Sequence, residues 1–184
     1  MISAERAHRR PIVGVMGSAS HSHEDRARQV GAWLAAEGVH LLTGGGTGVM
    51  QEASRAFFEV KDRAGMVIGI LPGSQDGRGT SQTADYPNPW VELPIYTHLP
   101  LTGARGTEPL SRNHLNVLTA DVVIALPGSY GTSSEVVLAL RYRRPLIAYL
   151  DHPGQIDGLA SDVRVESGFA RVQEFVRTVL AGDA

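Results

Sequence analysis

The chain contains no cysteine and only one lysine, and each shortage excludes a kind of chemistry. Without cysteine there is no disulfide, no thiolate nucleophile and no cysteine-ligated zinc. A Walker loop requires a lysine directly after its last glycine, and a pyridoxal-phosphate enzyme requires a lysine for its Schiff base. The single lysine, Lys61, lies in the charged run 59–63, which is typical of a solvated helix end. We therefore expect neither a P-loop NTPase nor a pyridoxal-phosphate enzyme.

Long apolar runs and an excess of basic charge are also missing. No apolar stretch approaches the roughly 18 residues of a transmembrane helix, so no membrane span is predicted. The formal net charge is -2, which predicts no nucleic-acid partner. Arg9 and Arg10 precede a short apolar run that the fold requires as a strand. A mature cytoplasmic protein is therefore the preferred interpretation over a twin-arginine signal.

Glycine, in contrast, is abundant, with 21 of 184 residues. This share is about 11%, against a usual share of roughly 7%. The length and the 42% content of hydrophobic residues are ordinary for a folded domain. We predict a single domain over residues 1–184, in which residues 1–10 form a loose N-terminal tail.

Short β-rich runs alternate with helical patterns along the chain. Strands are predicted at 12–16, 39–43, 66–71, 94–99, 121–126 and 145–150, and helices at 25–36, 49–61, 109–119, 132–142 and 169–181. Continuously apolar strands that alternate with helices indicate a parallel sheet covered on both faces. The predicted fold class is α/β, a Rossmann-like doubly wound parallel sheet of six or seven strands.

The residues that flank the first helix predict where it begins and ends. Ser22, three residues before Asp25, is predicted to cap the first helix, and Gly38 is predicted to end it.

Segment 72–105 is rich in glycine and proline, and a connection of this length is usually functional or mobile. It is predicted to form either a lid over a site or an oligomer contact.

Three predicted strands end in glycine-rich turns that open helices, at 14–20, 43–48 and 126–132. Helix starts present free N–H groups and partial positive charge, which suit a phosphate. In open α/β sheets the ligand crevice lies where the strand order reverses, so the turns converge on one anion site if the strand ends are neighbours. The alternative is that tight βα turns need glycine for their own geometry. The predicted ligand-binding residues in these turns are Gly17, Ser18, Gly44, Gly45, Gly46, Thr47, Gly128, Ser129, Tyr130, Gly131 and Thr132.

Other site types are less well supported by the sequence. The first turn lacks the G-x-G-x-x-G spacing of a dinucleotide site, and the second strand ends without an acidic residue. His21 and His23 have no accompanying carboxylate pattern, so no metal site is predicted. His114 is predicted to be solvated or to act as a cap.

Two charged residues stand beside the glycine-rich turns. Glu135 follows Gly131 by one helical turn, and Arg112 lies on the predicted helix before the fifth strand. Each has a purely structural alternative. The run 132–135 matches a capping box, which would give Glu135 a role in helix capping, and Arg112 could equally be a surface arginine.

Taken in order, these motifs resemble the LOG (LONELY GUY) phosphoribohydrolases and the related molybdenum cofactor carrier proteins. The residues that carry the resemblance are 17–20, 44–50, 67–72, Arg112 and 127–135. The older label for this group, lysine decarboxylase-like, fits badly with a chain that has one lysine. The resemblance supports the Rossmann-like fold and an anion site at the strand ends.

The resemblance to LOG enzymes implies a hydrolase that cleaves the N-glycosidic bond of nucleoside 5'-monophosphates without a cofactor. It places the 5'-phosphate on Gly128–Thr132. Glu135 would stabilise the oxocarbenium-like sugar or orient water, and Arg112 would position the substrate. The chain departs from this pattern at Ser129, where LOG sequences have glycine, and at Asn113, where they usually have lysine.

Arg112 followed by Asn113, with Asn116 nearby, is more similar to the cofactor carriers. Carriers hold a phosphate-bearing pterin in the same kind of crevice and need no catalytic carboxylate. Under this alternative the molybdenum cofactor is the ligand. Asn113 is predicted to be a ligand-binding residue under either function. A nucleotide sensor is a third possibility. The family also implies a homo-oligomer, a dimer or a tetramer, with 49–61 or 109–119 as contact segments.

Overall fold

In a computed structural model, strands and helices alternate through the described residues, which are 9–74, 76 and 86–182. The strands are β1 (Ile12–Met16), β2 (His40–Thr43), β3 (Val67–Leu71), β4 (Leu93–Tyr96), β5 (Val122–Ala125), β6 (Leu146–Tyr149) and β7 (Val165–Glu166). The helices are α1 (Glu24–Ala36), α2 (Val49–Glu59), α3 (Asn113–Thr119), α4 (Tyr130–Arg141) and α5 (Phe169–Ala181). Short 3-10 turns occupy Gly103–Arg105 and Pro153–Gln155.

The strands form one seven-stranded parallel sheet in the order β4-β3-β2-β1-β5-β6-β7. The chain runs outward from β1 to β4, returns to the centre, and then runs outward from β5 to β7. The order therefore reverses between β1 and β5, which is the switch point of a doubly wound fold. The predicted Rossmann-like parallel sheet is confirmed, with seven strands.

Two apolar cores cover the two faces of the sheet, because the strands at its centre are apolar on both sides. On one face α1, α2 and α5 pack on residues such as Val15 and Ile124. On the other face α3 and α4 pack on residues such as Leu42 and Val123. Helices on both faces leave the carboxyl edge of the sheet open at the switch point.

The structure corrects several predicted boundaries. The helix predicted at 109–119 begins only at Asn113, because Ser111 forms a parallel bridge with Leu101 and its hydroxyl accepts the Asn113 N–H at 3.2 Å. The N-cap residue of the first helix is His23, which has φ 39° and makes no side-chain hydrogen bond to the helix start. The predicted cap at Ser22 is therefore wrong. The short strand β7 had no counterpart among the six predicted strands.

Part of the predicted loose tail is held by the sheet. Arg9 donates to the Asp121 carboxylate at 2.8 Å, and the same carboxylate accepts the Ile12 N–H at 2.8 Å. Arg10 donates to the Gly38 carbonyl. Residues 1–8 of the tail lie outside the described residues, as do 75 and 77–85 of the long connection 72–105. Among the helices that are described, none is long and apolar enough to cross a membrane.

Candidate functional site

A cavity of about 240 Å³ opens at the switch point, where the turns after β1 and β5 diverge. Its walls combine residues from the sequence prediction with residues that were not predicted. Eight predicted residues line it: Gly17, Ser18, Arg112, Asn113, Ser129, Gly131, Thr132 and Glu135. The other lining residues are Ala19, Ser20, Met50, Tyr86, Thr102 and Gly103.

The turn after β1 forms the floor of the cavity and is stabilised by its own side chains. The Ser18 hydroxyl accepts the N–H groups of Ser20 at 3.2 Å and His21 at 3.0 Å, while the Ser18 N–H donates to the Pro127 carbonyl at 3.1 Å. A Cβ on Gly17 would lie 2.6 Å from a methyl group of Val49. Glycine is therefore required there to let the turn pass over the start of α2.

The turn after β5 presents the start of α4 to the cavity. The helix begins at Tyr130, so the N–H groups of Tyr130, Gly131 and Thr132 have no partner within the helix. These groups, with the helix dipole, favour a bound anion. The hydroxyl of Thr132 is buried and, among the described residues, makes no hydrogen bond. A Cβ on Gly128 would lie only 2.1 Å from that hydroxyl oxygen.

Arg112 brings a positive charge to the same place. Its side chain is only 5% exposed, so the alternative of a surface arginine is wrong. The guanidinium lies against the turn after β2, where a Cβ on Gly44 would approach Nη2 to 2.4 Å. Nε and Nη1 are buried and find no hydrogen-bond partner in the part of the chain that the structure describes.

Glu135 is buried one turn into α4 and faces Arg112. Its Oε1 accepts a hydrogen bond from Nδ2 of Asn116 at 2.9 Å and lies 3.6 Å from Nη1 of Arg112. Because α4 begins at Tyr130 and its N-cap is Ser129, the capping-box interpretation of Glu135 is wrong. Burial raises the pKa of Glu135, and Arg112 and Asn116 only partly oppose this rise. A carboxyl group in this environment can hold a proton closer to neutral pH than usual.

The other predicted residues border the cavity without lining it, as far as the described residues define its walls. The Thr47 hydroxyl donates to the Ala19 carbonyl at 2.8 Å and so joins the turns after β1 and β2. Gly45 has φ 74° and lies against the side chain of Leu71, and Gly46 lies against the ring of Tyr86. Tyr130 is 65% exposed and is not among the residues that line the cavity. As ligand contacts, these positions remain predictions.

Sequence reasoning placed the long connection 72–105 either over a site or at an oligomer contact, but it named none of the residues by which the connection lines this cavity. Tyr86 lies beside Met50 in the cavity, and Gly103 is held by the Ser134 hydroxyl, which donates to its carbonyl at 2.9 Å. A signal was present in 87–89, where a lone asparagine stands between two prolines. Asn88 is almost fully buried, and its Nδ2 donates to the Gly46 carbonyl at 2.9 Å.

A second cavity of about 360 Å³ adjoins the first and shares Ser18, Ser20 and Ser129 with it. His21, His23 and Asp157 line this second cavity. Burial lowers the pKa of His23, and the nearby His21 and Arg26 lower it further. Within the described residues no cluster of three or more metal-ligating side chains occurs.

His114, predicted to be solvated or capping, instead forms a hydrogen bond with the Tyr142 hydroxyl at 2.6 Å.

Comparison with known proteins identifies the family to which this arrangement belongs. The model of the SLOG cluster4 family matches residues 10–175. The chain belongs to the SLOG cluster4 family. This SLOG chain is also 29% identical, over 149 residues, to an uncharacterized protein of Archaeoglobus fulgidus, a match that covers 80% of the chain and 84% of the relative.

Solved structures similar to this SLOG chain include proteins that handle the molybdenum cofactor. The molybdenum cofactor binding protein from the phototrophic bacterium Rippkaea orientalis is 33% identical, with a TM-score of 0.74 and coverage of 95% of this chain and 99% of that protein. The molybdenum cofactor carrier protein of Chlamydomonas reinhardtii is 28% identical, with a TM-score of 0.67 and coverage of 94% and 99%.

Proposed function

We propose that this chain binds the molybdenum cofactor as a carrier and holds its phosphate at the switch point. The observation that carries the proposal is the buried guanidinium of Arg112, whose Nε and Nη1 are unbonded within the described residues. A buried donor without an acceptor costs about 1–3 kcal/mol, and more when it is charged. A bound phosphate would supply the missing acceptors.

Glu135 does not already fill this role. Its carboxylate lies 3.6 Å from Nη1 of Arg112, which leaves the two groups close without a hydrogen bond between them. A phosphate in the cavity would meet Arg112, the free N–H groups at the start of α4 and the Thr132 hydroxyl. Charge-assisted bonds of this kind are stronger than neutral ones, and a helix N-terminus suits them.

The choice of the molybdenum cofactor is supported by the relatives and by the shape of the site. The two structural relatives that bind this cofactor are similar over nearly the whole chain at 33% and 28% identity. The cofactor combines a phosphate with a flat pterin ring system. The cavity of about 240 Å³ reaches from the start of α4 to Met50 and Tyr86, which leaves room for a ring system beside the phosphate.

Retention of the cofactor tests this proposal. Purified protein is mixed with molybdenum cofactor released from a denatured molybdoenzyme and passed through a desalting column, and the retained pterin is measured by its fluorescence after oxidation. We expect wild type to retain the cofactor and Arg112→Ala to lose at least about tenfold in affinity, as for removal of a buried charge-assisted contact. Arg141→Ala, which removes the same charge from an exposed position at the end of α4, is the matched control.

Two results would contradict the carrier proposal. One is wild-type protein that retains no pterin above the level of an unrelated protein. The other is Arg112→Ala protein that folds normally and retains the cofactor as well as Arg141→Ala does.

A second candidate function is hydrolysis of nucleoside 5'-monophosphates to the free base and ribose 5-phosphate. It is favoured by Glu135, which lines the same cavity as the anion site and has a raised pKa. In its ionised form this carboxyl group can stabilise an oxocarbenium-like sugar or orient the attacking water, and the raised pKa makes it a better proton acceptor near neutral pH. Asn116 would position it, since its Nδ2 holds Oε1 at 2.9 Å.

Release of ribose 5-phosphate from AMP, GMP and CMP tests this second function. We expect Glu135→Gln to abolish release while leaving phosphate binding in place, because the amide keeps the shape of the side chain but cannot carry the negative charge. Equal release by wild type and Glu135→Gln would show that Glu135 has no catalytic role. If wild type releases no ribose 5-phosphate and retains the molybdenum cofactor, the hydrolase function is excluded and the carrier function remains.

A further inference from the structure

Tyr86 stands at the side of the cavity where the turn after β2 meets the start of α2. A Cβ on Gly46 would lie 2.9 Å from Cε1 of Tyr86 and 2.9 Å from the terminal methyl of Met50. The absence of a side chain at Gly46 therefore provides the space that the ring occupies. Tyr86 and Met50 both line the cavity, so the wall on this side is one aromatic ring beside a thioether.

The free N–H groups at the start of α4 lie on the other side of β1. In the sheet, β2 and β5 flank β1 on opposite sides, and α4 follows β5. Tyr86 packs on the turn after β2, whereas Ser129, Thr132 and Glu135 belong to the segment after β5. A ligand whose phosphate binds at the start of α4 would therefore extend its remaining part toward Tyr86.

Asn88 fastens the segment that carries Tyr86. It is 3% exposed, and its backbone N–H donates to the Gly45 carbonyl at 2.8 Å. Its Nδ2 donates to the Gly46 carbonyl at 2.9 Å, and its Oδ1 accepts the Trp90 N–H at 3.1 Å. The two bonds to Gly45 and Gly46 join segment 86–90 to the same glycine turn against which the ring packs, and the bond from Trp90 stabilises the segment itself.

We infer that Tyr86 is the side chain that contacts the flat ring of the ligand, and that Asn88 is the residue that positions it. The inference rests on the proposed function for the identity of the ligand, a planar heterocycle that carries a phosphate. A pterin and a purine share this chemistry, and each presents a face on which an aromatic ring can stack. Phosphate alone would not use this wall.

The test compares three ligands on variants of Tyr86. The ligands are molybdenum cofactor, AMP and inorganic phosphate. Loss of an aromatic stacking partner typically weakens binding of one ring by about 5- to 150-fold. We expect Tyr86→Leu to show this loss for whichever ring-bearing ligand wild type binds, and Tyr86→Phe to bind that ligand like wild type. Inorganic phosphate should bind with equal affinity to wild type, Tyr86→Leu and Tyr86→Phe. Tyr96→Leu, at an exposed tyrosine on β4, is the control for a lost aromatic elsewhere.

Two further variants move the ring without removing it. Gly46→Ala places a methyl group against the Tyr86 ring and the end of Met50, which are flexible enough to shift while the chain folds. Asn88→Asp replaces the amide that donates to Gly46 with a carboxylate and keeps the acceptor for Trp90. We expect both to weaken binding of the ring-bearing ligand and to leave the affinity for inorganic phosphate unchanged. A purely structural role would instead change both affinities together.

The failures of the inference and of the proposed function are distinguishable. If wild type binds molybdenum cofactor and folded Tyr86→Leu and Gly46→Ala bind it equally well, the role of Tyr86 is overturned while the carrier function stands. If wild type binds AMP and not the cofactor, the carrier function is overturned and the variants still decide the role of Tyr86 with AMP. If wild type binds neither, the proposed function is overturned and the inference with it.

Discussion

At the scale of single residues, the site keeps a carboxyl group in surroundings that favour its protonated form. Glu135 is buried on α4, and burial raises its pKa above the ordinary range in spite of Arg112 and Asn116. In the unfolded chain the same group ionises near its usual value of about 4.3. Between these two pKa values the unfolded state loses a proton that the folded state keeps, so folding becomes less favourable as pH rises through this window.

Glu135→Gln is therefore expected to stabilise the protein increasingly as pH rises. The amide resembles the protonated acid at every pH, so the variant avoids the loss of stability that wild type undergoes above a pH of about 4.3. The Tm of variant minus wild type, measured by thermal unfolding from about pH 4.5 to pH 8, should grow with pH until the folded-state pKa is passed.

The control for this titration is Glu174→Gln, at an exposed glutamate on α5. The difference in Tm between Glu174→Gln and wild type should be small and should not increase with pH. A difference between Glu135→Gln and wild type that is flat across the pH range would contradict the raised pKa. Stability gained by removing a carboxyl group would also indicate that Glu135 is kept for its role in the cavity, in line with the usual trade between activity and stability.

At the scale of elements, α1 and α2 approach each other so closely that one glycine decides the contact. Gly31 lies in the middle of α1, and a Cβ there would meet the Ala53 carbonyl oxygen of α2 at 2.2 Å. The obstacle is backbone, which cannot move aside by changing a rotamer. The same pair of helices sets the position of the turns after β1 and β2, since α2 begins directly after Gly48.

Gly31→Ala is expected to destabilise the protein by about 1–3 kcal/mol, the usual cost of overpacking. Alanine would gain up to about 1 kcal/mol of helix propensity, which the clash outweighs. For a chain of this length the Tm should fall by about 2–4 °C for each kcal/mol. The control is Gly168→Ala before α5, where no described atom lies within 4 Å of the added Cβ. An unchanged or higher Tm for Gly31→Ala would show that the helices can separate freely.

At the scale of the whole molecule, the homo-oligomer that the family resemblance implies needs an apolar surface, and two segments were expected to supply it. On segment 109–119, Leu110, Leu115 and Leu118 are 55%, 37% and 41% exposed. On segment 49–61, Phe58 is 40% exposed, but its ring packs on Trp90 at 5.6 Å. The leucine surface is the less covered of the two, so we propose that it forms the contact between copies.

Leu118→Glu is expected to convert the proposed oligomer into a monomer, because a buried unpaired carboxylate is costly at an apolar interface. Molar mass measured by light scattering after size-exclusion chromatography at several concentrations tests this. Phe58→Glu should leave the mass of the assembly unchanged. A wild-type chain that is monomeric at all concentrations, or an assembly that Phe58→Glu dissociates and Leu118→Glu does not, would contradict the proposed contact.

Much of the molecule was predictable from local patterns. The continuous apolar run of β5 indicated a strand buried on both faces, and the glycines after β1 and β5 marked the turns that border the cavity. Boundaries failed where a distant contact overrode a local preference. Segment 109–112 reads as the start of a helix, yet the bridge from Ser111 to Leu101 holds it in another conformation.

The sequence by itself determined the alternation of strands and helices, the parallel sheet and the positions of the glycine turns, because these depend on neighbours within a few residues. Only the tertiary structure decided that Arg112 lies buried against Gly44 and Glu135. It also decided that Asn88 joins Tyr86 to the turn after β2, a contact across 42 positions of the chain. The physical reason is that burial and the satisfaction of buried polar groups depend on residues that only the order of the strands brings together.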